Sequence, residues 1–310
     1  ADGYNTLCVH SGKTPPEAEL CAGLSLICAS LIAEADRRGL TVTGIGIGCP
    51  GIIDAAGRVL YGNNIKLKEF PLRENIAGSF PALPVSVIND ASAAALAEYR
   101  LGAGKGAESM VMLTLGTGLG CAVIIDGKLL SGRNGCAAGG HIVINTAGAE
   151  CSCGNFGCLE SYASATALTA SAETLVKRYP DGLLRGKRID GEAVFAAAAA
   201  NDAAAREAVG IFIANLGAGI VSVMNLLRPD IIVLGGGISE AGGAFLAPLR
   251  EYVSARIFAD EKYAPFELVT ARLRISAGII GAAISLENGY KLKSGRPDAP
   301  AAVKKFIKKI

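Results

Sequence analysis

Three cysteines crowd into eight residues, at Cys151, Cys153 and Cys158, and a histidine, His141, precedes them by ten positions. One imidazole and three thiolates make a tetrahedral Cys3His donor set whose softness and geometry favour Zn2+. Four protein ligands leave no open position for catalysis, so the metal is expected to be structural. Gly154, Gly157 and the turn-forming Asn155 let the chain double back and return Cys158 to the same ion. Two other readings stay open: a chance cluster of buried cysteines, and a catalytic Cys/His pair, for which neither residue has a clear third partner. The chain carries nine cysteines in 310 residues, too few for a disulfide scaffold. The others, Cys28 and Cys121 among them, sit between apolar neighbours like small buried hydrophobes in a reducing compartment.

A length of 310 residues with 51% hydrophobic content suits two domains better than one. The net charge of +2 offers no basic field for nucleic acid. The one obvious basic run is Lys304, Lys305, Lys308 and Lys309 near the C-terminus. The longest apolar stretch, Leu20 to Ala33, is short of a membrane span and is interrupted by Gly23 and Ser25. The expectation is a cytoplasmic protein whose partners are small molecules rather than nucleic acid or membrane.

Hydrophobic periodicity gives an alternation of helices and strands, an α/β chain. Thr14-Pro15-Pro16 starts a helix on which Leu20, Leu24, Ile27 and Leu31 recur at helical spacing, and Gly39 ends it. Val42 to Gly48 reads as a buried strand. Val85 to Ile88 is another, leading through Asn89 and Asp90 into the alanine-rich helix Ala91 to Arg100. Met110 to Leu115 and Cys121 to Ile125 read as a hairpin, with Asp126-Gly127 as the next turn. Helices are expected at Ala163 to Tyr179, Glu192 to Ala200 and Ala203 to Leu227, and a buried strand at Asp230 to Leu234. Glycine and lysine at Gly102 to Gly106 mark a boundary, giving a small lobe over 1–108, completed by a C-terminal helix in 286–310, and a large lobe over 109–285. That C-terminal helix is drawn from Val303, Phe306, Ile307 and Ile310, with lysines on its other face.

Two glycine turns directly follow strands: Leu115-Gly116-Thr117-Gly118-Leu119-Gly120 and Leu234-Gly235-Gly236-Gly237-Ile238-Ser239. Bare amides in such turns can approach phosphate oxygens, and Thr117 adds a hydroxyl. Each is also compatible with a tight turn and no ligand. Neither matches the Walker pattern, and the first leads to a strand, which excludes a dinucleotide fingerprint. Asp90, at the junction of a strand and a helix, could cap the helix or act as a general base toward an attacking hydroxyl.

Together these pieces resemble the ROK family of sugar kinases and sugar-responsive repressors, within the actin-like ATPase superfamily. The resemblance is carried by Gly48-Cys49-Pro50-Gly51-Ile52-Ile53-Asp54, Asn64 before Phe70-Pro71-Leu72, Ile88-Asn89-Asp90-Ala91, the Gly116 to Gly120 turn, and Gly140-His141 through Cys151-Ser152-Cys153-Gly154 to Gly157-Cys158-Leu159-Glu160. It implies a two-lobed actin-like (ribonuclease H-like) α/β fold with a structural zinc site in the larger lobe. It further implies ATP-dependent phosphorylation of a hexose, with Asp90 as base. Gly51, Asn64, Asn89, His141 and Glu160 would contact the sugar, and His141 would serve both sugar and zinc. Gly116, Thr117, Gly118 and Gly120 would hold the ATP phosphates, and Gly236 and Gly237 would border the adenosine. Mg2+ would come with the nucleotide, and the family's habit is to form homodimers.

Two departures accompany the resemblance. Family kinases open with a strand and an Asp-x-Gly-Gly-Thr phosphate loop, whereas this chain begins at Ala1-Asp2-Gly3; the expectation is that its natural N-terminus lies upstream. Family members also carry Gly-x-Ala-Gly-Glu-x-Gly-His, with a sugar-bonding glutamate. Here Gly135-Cys136-Ala137-Ala138-Gly139-Gly140-His141 is one residue shorter and has no acid. One lost acceptor weakens binding by about 1 to 3 kcal/mol or alters the preferred sugar. The alternatives to a kinase are therefore a catalytically impaired sugar-binding protein and a sugar-responsive regulator, although nothing before Val42 resembles a DNA-binding helical domain.

Overall fold

The computed structural model describes residues 6–62, 65–132, 135–136, 138–241, 243–259 and 261–287. Asn64 and the helix expected near the C-terminus lie outside these residues. The chain divides into two compact units: Ala1–Ser109 with Ala122–Ala137 and Arg272–Ile310, and Met110–Cys121 with Ala138–Ala271. The first unit thus takes back a hairpin segment from Ala122 and regains the chain at Arg272, earlier than residue 286.

In the first unit, strands Ile45–Cys49 and Val85–Asn89 pair in parallel, with Cys49 opposite Asn89. Ile45, Ile47 and Cys49 point into a core with Val85, Val87, Leu72 and Ile76. Leu20 and Leu24 of helix Glu17–Arg37 close the same core. That helix ends where Gly39 takes φ 65°, a left-handed conformation natural to glycine. A meander of Ile52–Ile53, Val59–Gly62 and Leu67–Phe70 follows the first strand.

Helix Asp90–Leu101 is filled with alanine for a packing reason. It lies against helix Ser276–Ile284 so closely that a β-carbon at Gly281 would overlap the Ala93 carbonyl, and one at Gly46 would overlap the Ala282 carbonyl. Small residues on three elements therefore bring two helices and a strand into backbone contact. This close stack is what sets the direction of the helix that Asp90 begins.

A five-stranded sheet has the order Glu267–Thr270, Ile231–Gly235, Ser109–Leu115, Leu119–Ile125, Lys128–Leu129, of which the second unit holds the first two strands, the third from Met110 and the fourth up to Cys121. Its first three strands run parallel, with Gly235 opposite Thr114. The Asp126-Gly127 turn forms as expected, with φ of 51° and 70° in a two-residue hairpin. Helix Ala203–Leu227 is the hub, packed by helices Ala165–Val176, Gly191–Ala199 and Gly243–Ser254. Phe195, Phe212 and Phe245 meet there at centroid distances of 5.5 to 6.4 Å. The helix expected over Ala163 to Tyr179 is broken at Ser164, whose hydroxyl accepts from the Ala167 amide and caps a new helix.

Two helices, Glu17–Arg37 and Ala203–Leu227, are long and apolar enough by length and composition to cross a membrane, unlike the shorter stretch Leu20 to Ala33. In the fold the first packs on helix Leu72–Ser79, and the second is the hub just described.

Candidate functional site

In the first unit the chemistry gathers at the end of the parallel strands. Asn89 ends its strand and caps the following helix: its Oδ1 accepts from the Ser92 amide at 3.0 Å, and its Nδ2 donates to the Gly51 carbonyl at 3.0 Å. The side chain therefore locks the Pro50-Gly51 turn to the helix start. Asp90 is half-buried beside it, and one carboxylate oxygen accepts from the Ala91 amide at 2.9 Å. Asn89 rather than Asp90 supplies the cap, so the aspartate is not consumed by the structural duty that the sequence leaves open to it. Directly beneath, burial and then the Asp90 charge push the Cys49 thiol up to about 12. Cys49 is thus a neutral, inert floor.

In the second unit both glycine turns lie at the C-terminal ends of adjacent parallel strands, where ligands of open α/β sheets are received. Gly236 takes φ 85° and presses on the Leu115 backbone, so the second turn packs directly against the start of the first. The first turn is rigidly held. Its Gly116 amide donates to the Gly118 carbonyl at 3.0 Å, the Gly116 carbonyl accepts from Ala165 at 2.8 Å, and the Thr117 carbonyl accepts from the Thr166 hydroxyl at 2.8 Å. Gly116 therefore spends its N–H inside the turn, and Thr117 projects outward as the exposed residue.

The side chains that could hold a metal ion form the third feature. His141 ends a short 3-10 turn, Gly139–His141, and Cys151, Cys153 and Cys158 belong to a knuckle closed by Cys151 N–H to Asn155 O at 2.7 Å and Gly154 N–H to Cys151 O at 2.8 Å. At Gly157 (φ 74°) a β-carbon would overlap the Asn145 carbonyl, so only glycine lets the chain return. The four donor atoms lie within 4.8 Å of one another. A tetrahedral ion with sulfur at about 2.3 Å and nitrogen at about 2.0 Å places sulfurs about 3.8 Å apart and sulfur about 3.6 Å from nitrogen. The structure has Cys153 Sγ 3.7 Å from Cys158 Sγ and Cys151 Sγ 3.6 Å from His141 Nδ1. The donor set fits.

The two features of the second unit are joined by one carboxylate. Glu160 opens the helix after the knuckle; its Oε2 accepts from the Leu119 amide of the glycine turn at 2.8 Å, and its Oε1 from the Ser152 hydroxyl of the knuckle at 3.1 Å. A β-carbon at Gly118 would collide with Glu160, which explains the glycine there better than any need for a bare amide. Ser152 is a residue that sequence reasoning passes over, because it sits between two cysteines and has no signature of its own. At Ala138 the backbone caps the His141 turn, its carbonyl accepting from the His141 amide at 2.9 Å.

A family model described as "ROK family" matches residues 5–288. The chain belongs to the ROK family. A glucokinase from Halalkalibacterium halodurans is 40% identical over 247 residues, 77% of this chain and 74% of that protein. A xylose repressor from Caldicellulosiruptor bescii is 35% identical over 256 residues, 81% of this chain but 64% of the repressor. Among solved structures, a ROK family glucokinase from Streptomyces griseus in complex with glucose and AMPPNP has a TM-score of 0.79 at 34% identity, covering 92% of this chain and 93% of that one. These ROK relatives support a sugar kinase of α/β fold, and they include a regulator.

Proposed function

We propose that this chain transfers the γ-phosphoryl group of ATP to a hexose hydroxyl, most simply the 6-hydroxyl of glucose or a related hexose. The observation that carries the reading is the setting of Asp90: a half-buried carboxylate at a strand end, released from capping duty by Asn89 and backed by the neutral thiol of Cys49. The glucokinase match and the glucose–AMPPNP complex of the Streptomyces griseus relative support the same substrates here.

In this reading Asp90 accepts the proton of the attacking hydroxyl while that oxygen bonds to the γ-phosphorus. The bond from this phosphorus to the β–γ bridging oxygen breaks, and ADP leaves. Asn89, Gly51 and Asn64 contact the sugar from the Asp90 side, and His141 and Glu160 bond further hydroxyls. Thr117, with the amides of its turn, holds the phosphates, Gly116, Gly118 and Gly120 shaping that turn, while Gly236 and Gly237 border the adenosine. Mg2+ arriving with the nucleotide neutralises charge on the phosphates. His141, Cys151, Cys153 and Cys158 would hold Zn2+, which would serve a structural role. The Nδ1 of His141 faces the cysteines, so Nε2 is the nitrogen left to meet the sugar, in a tautomer that the metal fixes.

A coupled ADP-release assay over glucose, mannose, allose, fructose, N-acetylglucosamine and N-acetylmannosamine tests this. Turnover on one hexose supports the kinase; absence of turnover on all of them overturns it. One observation favours a second reading, a sugar-binding protein without turnover: the segment Gly135 to His141 carries no acid. Sugar binding without ADP release is its signature.

A further inference from the structure

Glu98 is a fully buried carboxylate, 0% exposed, in the last turns of the helix that Asp90 begins. Its Oε2 accepts from the Ala103 amide at 2.8 Å and from the Arg272 amide at 3.1 Å, and its Oε1 accepts from the Leu273 amide at 2.6 Å. These amides mark two special places. Ala103 stands shortly before the chain first leaves the first unit after Ser109, and Arg272 is the residue at which it comes back for the last time. The chain passes between the units four times, and the segments that lead to the first passage and follow the last are therefore fastened, on the first unit's side, to one carboxylate.

The surroundings are built for it. A β-carbon at Gly102 would collide with the Glu98 carboxylate, so the residue after the helix has no side chain. On the returning segment, Arg274 adopts φ 49°, a left-handed conformation that costs a non-glycine residue strain and persists only where neighbours enforce it. Two residues on, helix Ser276–Ile284 starts, and it packs back on the Asp90 helix through Gly281 and Ala93. The returning chain is thus tied to the Asp90 helix at both the Glu98 and the Ala93 levels.

We propose that Glu98 is a positioning residue for phosphoryl transfer: by clamping the Ala103 and Arg272–Leu273 segments to the Asp90 helix, it fixes the direction of the helix that presents the base. The proposal rests on the kinase reading above. A buried charge with amide partners alone is costly unless each bond is made, and a carboxylate is the side chain that accepts on both oxygens. A glutamine cannot replace it, because whichever way its amide turns, its NH2 faces at least one backbone N–H.

Two variants test the clamp by different routes. Glu98→Gln removes an acceptor without changing shape, and Gly102→Ala displaces the carboxylate without changing its charge. In both, hydrogen exchange at the amides of Ala103, Arg272 and Leu273 is expected to rise about tenfold, in line with one lost charge-assisted hydrogen bond. The kcat for the sugar turned over fastest is expected to fall about tenfold per folded molecule, while binding of that sugar without ATP shifts less than about twofold, as loss of alignment rather than of contact predicts. Unchanged exchange overturns the clamp; faster exchange with unchanged kcat overturns the positioning role. A wild-type chain with no turnover overturns the kinase reading itself, and exchange then still decides the clamp.

Discussion

The backbone amide of Leu119 donates to Glu160 across 2.8 Å, so the end of the glycine turn hangs from the residue that follows the cysteine knuckle. The other oxygen of Glu160 holds Ser152 inside the knuckle. The carboxylate is therefore a strut between the cysteine knuckle and the proposed phosphate turn, in addition to the sugar contact that the family resemblance implies.

A residue that touched only sugar would, when altered, change only the sugar's KM. Glu160→Ala removes both acceptors, so the Leu119 amide and the Ser152 hydroxyl each lose this partner. The expected outcome is a rise in KM for ATP as well as for the sugar, each by about five- to twentyfold, corresponding to about 1 to 2 kcal/mol for a charge-assisted bond. Ser152→Ala should show a weaker version of the same pattern. Steady-state kinetics with each substrate varied in turn check this, and an unaltered ATP KM would remove the strut from the account.

Much of this organisation was legible in the residues, for reasons that differ by feature. Helix and strand positions followed from periodicity and from Gly39, because apolar spacing and backbone chirality act locally. The donor set was legible because soft ligands at short spacing have few other uses. What was not legible is contact over long separations. Glu98 meets Leu273 across 175 positions, and nothing in a helical glutamate distinguishes one that is buried on backbone amides from one in solvent. Ser164 broke an alanine-rich helix because its hydroxyl found the Ala167 amide, a choice that propensity alone leaves undetermined. The contact of Gly118 was hidden for the same reason: its neighbour in space, Glu160, is far along the chain.

Asp90 offers a cleaner test than most proposed bases because its structural burden is small. Asn89 carries the cap, and the Asp90 side chain's acceptance from the Ala91 amide is within reach of an asparagine carbonyl. Asp90→Asn should therefore leave the melting temperature and sugar affinity nearly unchanged while lowering kcat by about a hundredfold or more, the usual contribution of a positioned general base. Calorimetric sugar binding beside the ADP-release assay reads both arms. Residual turnover within a few-fold of wild type would transfer the role of base elsewhere.

The knuckle makes a pH-dependent prediction. In the metal-free chain, burial opposes ionisation of Cys151, but hydrogen bonds from the Cys153 backbone and from Ser161, Cys153 and His141 outweigh it and bring the thiol down to about 7. Burial and then the neighbouring Cys151 and Cys153 sulfurs push Cys158 up to about 12. The signs are opposite. A depressed pKa stabilises the folded chain above the ordinary thiol value of 9.0 and loses that contribution as pH falls through about 7. A raised one is favourable below 9.0 and loses its contribution as pH climbs toward about 12. A bound divalent ion requires both as thiolates, so near neutral pH it must expel the Cys158 proton while Cys151 is already partly ionised. Zinc binding is accordingly expected to release at least one proton and to tighten by about tenfold or more per pH unit between about 7 and 9. Titration calorimetry in buffers of different ionisation enthalpy measures the released protons, and Cys158→Ser should abolish most of the pH dependence along with most of the affinity. Proton release well below one per zinc would mean that the ion does not take the Cys158 sulfur.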